Sequence, residues 1–350
     1  MFPGVLVSRV LPPLRSSRTR HRILGRPLSS PRSHSSMSTS TSPASKIQTP
    51  RPSASLVIIN GRNELLFVHR NPEARSFAGV HVYPGGNLDP AQDSSLAITA
   101  IRETFEEAGI LLASGPTPSD AVLDTARHAI HAGKTPFQAF LTEHDLVPDV
   151  QALLPFTQWI TPVYAPRRFQ TQFYVAFLGG ASASGFSTGA REDRIPKPDG
   201  GQEVIAARFV HPDAILAEFS AGEITLMPPQ FYIAQTLASI LRGSTTTADQ
   251  RARVEELARG AFGKMVINPQ PLGPPDGQGR VVLTYEGDHT RGGPEGRLHR
   301  ATILAGKGGV RTSHVNVTYS SLDARQVTSE IILERNFDIF KDVDVVLSKL

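Results

Sequence analysis

Two hydrophobic periods alternate along this chain, and the switches between them mark its elements. Residues 55–60 are apolar and largely β-branched, Gly61-Arg62-Asn63 has the composition of a turn, and residues 64–69 return to apolar character. That pattern predicts a β-hairpin. A further strand is expected over 80–83, ahead of Pro84-Gly85-Gly86. From 95 to 108 the period becomes helical, with Leu96, Ala97, Ala100, Thr104, Phe105 and Ala108 on one side. Asp93 or Ser94 offers the N-cap of this helix and Gly109 its C-terminal stop. Residues 119–155 read as mainly helical, 159–163 and 171–178 as strands, and 179–201 as a long surface loop rich in Gly, Ser, Ala and Pro. Another strand is expected over 203–210, with helices over 228–241 and 248–262. From 266 to 317 short β-like runs alternate with Gly and Pro loops, and no internal repeat is present.

Composition narrows the chemistry. A 350-residue chain with 39% hydrophobic and 19% charged residues has enough apolar material for a sizeable core. It contains no cysteine, which removes disulfides, thiolate zinc sites and cysteine nucleophiles, so a metal would be held by oxygen or imidazole. The histidines lack the paired helical spacing of a zinc site. No run approaches the roughly 20 apolar residues of a membrane-spanning helix. The net charge of +4 is unevenly spread: residues 1–36 carry seven arginines and no acid. Removing those seven from 36 Lys plus Arg leaves 29 against 32 Asp plus Glu, so the remainder is mildly acidic and is not expected to bind nucleic acid.

The two ends suggest addresses. The acid-free, Arg- and Ser-rich leader has the composition of a mitochondrial transit peptide. Ser348-Lys349-Leu350 has the form read by the peroxisomal import receptor, and Met37 could start a form without the arginine leader. The expected organisation is a disordered targeting leader over 1–53, a hydrolase domain over 54–245 and an extension over 246–350.

The distinctive chemistry lies in Arg102-Glu103-Thr104-Phe105-Glu106-Glu107-Ala108-Gly109-Ile110. On a helix, Glu103, Glu106 and Glu107 fall within about 100° of arc, beside the apolar face. Like charges at this spacing cost roughly 0.2–0.5 kcal/mol. Acids near a helix C-terminus also oppose its dipole. A divalent cation such as Mg²⁺ would reverse both effects, since it takes oxygen ligands and needs few of them from protein. The alternative for such a Glu-Glu pair is a solvated acidic face. Gly85-Gly86 ahead of the helix favours the metal, because it permits a close backbone approach to an ion or phosphate.

Residues 86–110 resemble the Nudix box: Gly, five residues, Glu, seven residues, then Arg-Glu-U-x-Glu-Glu-x-Gly-U with U apolar. The second half matches at every charged and glycine position. In the first half the loop after Gly86 is two residues longer, and Ser94 stands where the pattern has Glu. The resemblance implies an α/β fold of Nudix type, a mixed sheet between helices, with 119–155 as an inserted helical segment. It implies that Glu103, Glu106 and Glu107 bind Mg²⁺ or Mn²⁺ with the carbonyl of Gly85, and that Arg102 orients Glu103. Glu103 or a residue outside the box would help deprotonate the attacking water.

Arg70, Arg75 and Gly79, followed by Tyr83-Pro84-Gly85-Gly86, resemble the signature of Nudix enzymes that cleave coenzyme A, with Tyr83 for Phe. Arginines suit a substrate carrying three phosphates because the guanidinium fork binds phosphate bidentately. Arg70, Arg75 and Gly86 are therefore the expected substrate contacts. Trp159-Ile160-Thr161-Pro162, Arg168-Phe169, Glu203-Val204 and Pro228-Pro229-Gln230-Phe231-Tyr232 are similar in kind and order to the peroxisomal acyl-coenzyme A diphosphatase subgroup. The implied reaction is hydrolysis of coenzyme A or its thioesters to adenosine 3′,5′-bisphosphate and the 4′-phosphopantetheine derivative. Two other functions stay open: a Nudix hydrolase of another nucleoside diphosphate derivative, such as ADP-ribose or a dinucleotide cofactor, and an inactive Nudix fold used as a binding module, which Ser94 suggests.

Overall fold

The computed structural model describes residues 48–74, 77–165, 167–178, 199, 203–306 and 327–343. The arginine leader to residue 47, Arg75, most of the 179–201 loop and Ser348-Lys349-Leu350 lie outside the described residues.

The predicted hairpin forms from β1 (Arg51–Ile59) and β2 (Leu65–Arg70), antiparallel with Ile59 opposite Leu65. Its turn is closed by Asn60, whose side-chain oxygen accepts from the amides of Arg62 and Glu64 at 2.9 and 3.0 Å. β3 (His81–Val82) adds to β2. β4 (Gly85–Asn87) folds back along β1, with Gly85 opposite Ser55 and Gly86 opposite Ala54. Only glycine fits at position 85, because a Cβ there would come within 2.3 Å of the Ala54 carbonyl oxygen.

Helix α1 (Leu96–Ala108) follows and ends on Gly109 in the left-handed conformation, φ 71°. Its N-cap is Ser95, whose hydroxyl accepts from the Ile98 amide. The cap falls one or two residues later than expected because the Asp93 carboxylate is engaged by Arg102, Thr99 and the Asp89 amide. Next come β5 (Ala113–Ser114), α2 (Asp120–His131), α3 (Phe137–Glu143), β6 (Val147–Pro148), which pairs with β5, and β7 (Leu154–Ile160). The helical stretch is thus shorter than 119–155. Strand β7 starts at Leu154 and ends before Pro162, which has no N–H for a sheet ladder.

β8 (Phe169–Phe177) runs parallel to β1 in register throughout, from Arg51 opposite Phe169 to Ile59 opposite Phe177. β9 (Val204–Val210) pairs with β2 and leads into α4 (Pro212–Ser220) and α5 (Pro228–Ala238). After α6 (Ala248–Arg259) and α7 (Ala261–Lys264), β10 (Val266–Ile267) pairs parallel with β7. The result is an eight-stranded mixed sheet with spine order β10-β7-β8-β1-β2-β3. A second sheet holds β11 (Gln270–Pro271), β12 (Arg280–Thr284), β13 (His299–Gly306) and β14 (Val327–Arg335) in that order.

Strand alternation explains the layers. Leu56 and Ile58 of β1, with Leu66 and Val68 of β2, pack on Ile101 and Phe105 of α1. Val57, Ile59, Leu65 and Phe67 face the opposite way, into a core shared with Ile233 and Leu237 of α5 and Val254 and Leu257 of α6. Both faces are covered, so these strands read as continuous apolar runs. Val281, Leu283, Tyr285, Ala301 and Ile331 belong to that second core. The segment after 245 is therefore built into the domain's interior. Among the described residues no helix is long and apolar enough to cross a membrane.

Candidate active site

The site forms where the C-terminal end of α1 meets β4. Burying Ile98, Ile101 and Phe105 against the sheet turns Glu103, Glu106 and Glu107 toward the Gly85-Gly86 backbone. Glu107 is 1% exposed; one carboxylate oxygen accepts from the Gly85 amide at 3.0 Å and the other from Arg70 at 3.1 Å. Glu103 lies over Gly86, where an added Cβ would sit 2.4 Å from its carboxylate. Glycine at 86 is thus a requirement of the glutamate's position. The amide of Gly85 serves Glu107, and its carbonyl, expected as a metal ligand, lies on the same strand, β4.

Arg102 is the hub. Its side chain is 5% exposed and grips Asp93 bidentately, at 2.9 Å through Nε and 2.8 Å through Nη2. Its Nη1 lies 2.9 Å from Glu103 and 2.8 Å from Glu106. Burial works against this guanidinium's charge, but the surrounding carboxylates outweigh it and raise its pKa. Asp93 stands one residue before Ser94, so an acid reaches Arg102 from the neighbouring position. The sequence had offered Asp93 only as a cap; a carboxylate beside an unmatched motif position was the signal.

Further partners come from distant segments. Glu203, before β9, takes the other side of Arg70 at 3.2 Å. From α2, Arg127 donates through Nε to the Glu106 carbonyl at 2.7 Å, and His131 Nδ1 lies 3.4 Å from the second Glu106 carboxylate oxygen. His131 Nε2 lies 3.9 Å from Asp199, whose carboxylate accepts from the Glu203 amide at 2.8 Å. Glu203 had appeared in the sequence only as part of a matching block. Arg127, His131 and Asp199 carried no signal, because their helix and loop meet α1 only in the fold.

Arg70 is beside the glutamates; Arg75 is outside the described residues. Burial pushes the carboxyl of Glu103 up to about 7 and that of Glu107 up to about 8; the nearby arginines oppose this and the neighbouring glutamates add to it. His131 is raised by its Glu106 partner. Asp93, Glu103, Glu106, Glu107 and Glu203 share the two guanidiniums of Arg70 and Arg102, an imbalance that a bound divalent ion would relieve. The donor set is hard oxygen, fitting Mg²⁺ or Mn²⁺. Among the described residues no three acids or histidines are grouped so as to hold an ion by themselves. Magnesium sites of the kind completed by water and phosphate oxygens do not require such a cage.

A helix presenting these glutamates over a Gly-Gly strand, beneath a mixed sheet, agrees with what the resemblance to the Nudix box implies. A family model described as the NUDT19 Nudix domain matches residues 90–237. Acyl-coenzyme A diphosphatase NUDT19 of Gallus gallus is 28% identical over 237 residues, 48% of this chain and 59% of that protein. Its Homo sapiens counterpart is 31% identical over 163 residues, 42% of this chain and 40% of that protein. The chain thus spans between two fifths and three fifths of the length of these two relatives. Among solved structures, a NUDIX hydrolase from Alicyclobacillus acidocaldarius is 26% identical, with TM-score 0.46, over 55% of this chain and 93% of that one. Over residues 90–237 the chain is similar to the NUDT19 Nudix domain, and it resembles Nudix hydrolases of that group.

Proposed function

We propose that this protein hydrolyses the diphosphate of coenzyme A or its acyl thioesters, giving adenosine 3′,5′-bisphosphate and (acyl-)4′-phosphopantetheine. The observation that carries the reading is the Arg70–Glu107 pair at 3.1 Å within an under-neutralised carboxylate cluster. It sets the arginine of the coenzyme A signature against the glutamates of the Nudix box. Glu103, Glu106 and Glu107 would hold Mg²⁺ or Mn²⁺. The chemistry such an ion supplies when bound is neutralisation of the diphosphate oxygens and a more acidic water.

The protein's own groups do the rest. Arg102 fixes Glu103 and Glu106, and Arg70 supplies positive charge that substrate phosphate can share. A carboxylate of the cluster, Glu103 or Glu203, accepts the proton of the attacking water. The water oxygen bonds to phosphorus as the bridging phosphorus–oxygen bond breaks, and the bridging oxygen leaves with the other phosphate. Asp93 supports activity over the binding-module reading, since it gives Arg102 the acidic partner that Ser94 withholds.

The test is product analysis over coenzyme A, acyl-coenzyme A, ADP-ribose and dinucleotide cofactors, with Mg²⁺ or Mn²⁺. Preference for the coenzyme A esters is expected. Preference for ADP-ribose or a dinucleotide would overturn the substrate assignment. Wild type and Glu106→Gln equally inactive on every diphosphate would restore the binding module.

A further inference from the structure

We infer that helix α2, in the segment inserted after the Nudix box, is a positioning element of the active site, acting on Glu106 through Arg127 and His131. The inference rests on the proposed metal-binding role of Glu106. Arg127 and His131 are four residues apart and so project from one side of α2, near the buried Leu123 and Ile130. Both reach the same residue of α1. Arg127, 3% exposed, donates to the main-chain oxygen of Glu106, and His131 lies against its side chain.

The two contacts perform different tasks. The carbonyl of Glu106 belongs to the last turn of α1, where helix carbonyls lack intrahelical donors. Arg127 supplies one and places positive charge at the negative end of the dipole. Its guanidinium occupies the space left by Gly109: a Cβ at 109 would stand 3.2 Å from Nη1. Glycine at the end of the box suits the left-handed backbone, and an added Cβ would also press on Arg127.

His131 completes the side-chain clamp. One Glu106 carboxylate oxygen is 2.8 Å from Arg102 Nη1 and the other 3.4 Å from His131 Nδ1, so each oxygen is held from a different helix. Beyond His131, Asp199 accepts from the amides of Glu203 and Val204 at 2.8 and 3.1 Å. The contacts run from Glu106 through His131 and Asp199 to the start of β9, beside Glu203 and Arg70. A helix serving only to cover apolar surface needs Leu123 and Ile130. It does not need two polar side chains converging on one glutamate.

The experiment compares full-length wild type with His131→Ala, His131→Asn and Arg127→Met. Three quantities are measured: Mn²⁺ binding by paramagnetic resonance, kcat and KM for coenzyme A against Mg²⁺ concentration, and thermal melting. Removing a group that orients a metal ligand weakens metal affinity or activity by about 10-fold or more. His131→Ala should do so with little change in melting temperature or substrate KM. His131→Asn, whose amide can stand in for Nδ1, should recover most of the loss. Arg127→Met keeps the apolar stem and loses the donor, and should weaken Mn²⁺ binding in the same direction. His131→Ala binding Mn²⁺ and turning over like wild type overturns the inference, as does a loss matched only by lower melting temperature and not recovered by Asn. A wild type that neither binds Mn²⁺ nor cleaves any diphosphate sinks the functional reading itself.

Discussion

Two buried polar clusters lie in different regions of this domain, and they are neutralised differently. Where β13 meets α5, Asp288 is fully buried and accepts from both ends of the Arg300 guanidinium at 2.8 and 2.7 Å, from the His299 amide at 2.9 Å and from Thr290 at 2.7 and 3.0 Å. His299 stays within hydrogen-bond reach of the Tyr232 hydroxyl at 2.9 Å and the Glu286 carbonyl at 2.6 Å. Although burial opposes its charge, the Asp288 carboxyl is held far below the usual carboxylate range by these donors, and burial pulls His299 down to about 4. One acid is matched to its donors and one imidazole is kept neutral. At the end of α1 burial instead drives Glu103 and Glu107 upward, because Arg70 and Arg102 are shared among several acids. A closed cluster holds the fold, whereas one left short of positive charge is suited to receive it from a ligand.

The largest effect should come from breaking the closed cluster. Asp288→Ala strands Arg300, whose side chain is 13% exposed, and loss of one partner of a buried pair costs about 3–5 kcal/mol. Chemical denaturation should report that loss, with the activity per folded molecule little changed. Equal loss of activity and stability from Asp288→Ala and from site variants would erase the distinction.

Glu106→Gln should show the opposite pattern. Activity should fall on the order of 10²-fold, in line with removal of one electrostatic group from a reaction centre. Stability in the absence of metal should hold or rise, since the variant removes charge from an acidic cluster. A melting temperature lowered by several degrees would count against this picture.

Protonation separates the clusters by sign. For Glu103 and Glu107 the folded pKa values of about 7 and about 8 exceed the 4.5 of the free group, so the folded state binds more protons across that window and stability falls as pH rises through it. His81 and His299, lowered to about 4 from 6.5, do the reverse, and stability falls as pH drops below 6.5. Metal-free protein should therefore lose melting temperature between about pH 6.5 and 8, where the glutamates act and His131, raised by Glu106, acts in the same direction. Mg²⁺ should flatten that slope, and removing it with chelator should restore it. A flat metal-free profile, or a slope unchanged in Glu103→Gln/Glu107→Gln, would refute the assignment.

The smallest effect is expected at Ser94. With Asp93 bound to Arg102 at 2.8 Å, Ser94→Glu adds an acid at a position already served, and activity and melting should stay within about 0.5 kcal/mol of wild type, as for ordinary surface changes. Strong activation would mean that Asp93 does not take the place of the motif's first acid.

The sequence by itself determined the elements whose periodicity is local. The β1–β2 hairpin with its Gly61-Arg62-Asn63 turn, α1 with its Gly109 stop, and the placement of three glutamates on one arc follow from side-chain spacing within about 15 residues. Gly85 and Gly86 could be singled out for the same reason, since close backbone approach has one residue that suits it. Tertiary structure alone decided what meets the end of α1. Asp93 meets Arg102 because the loop ahead of α1 carries it back to the guanidinium. Glu203 joins Arg70 because β9 pairs with β2, and Arg127 and His131 arrive because α2 packs across α1. The tail after 245 enters the core by pairing β10 with β7, a contact between residues more than a hundred positions apart. Periodicity reports which face of an element is buried. It carries no information about which distant element buries it, and the partners of a charged side chain are set by that second choice.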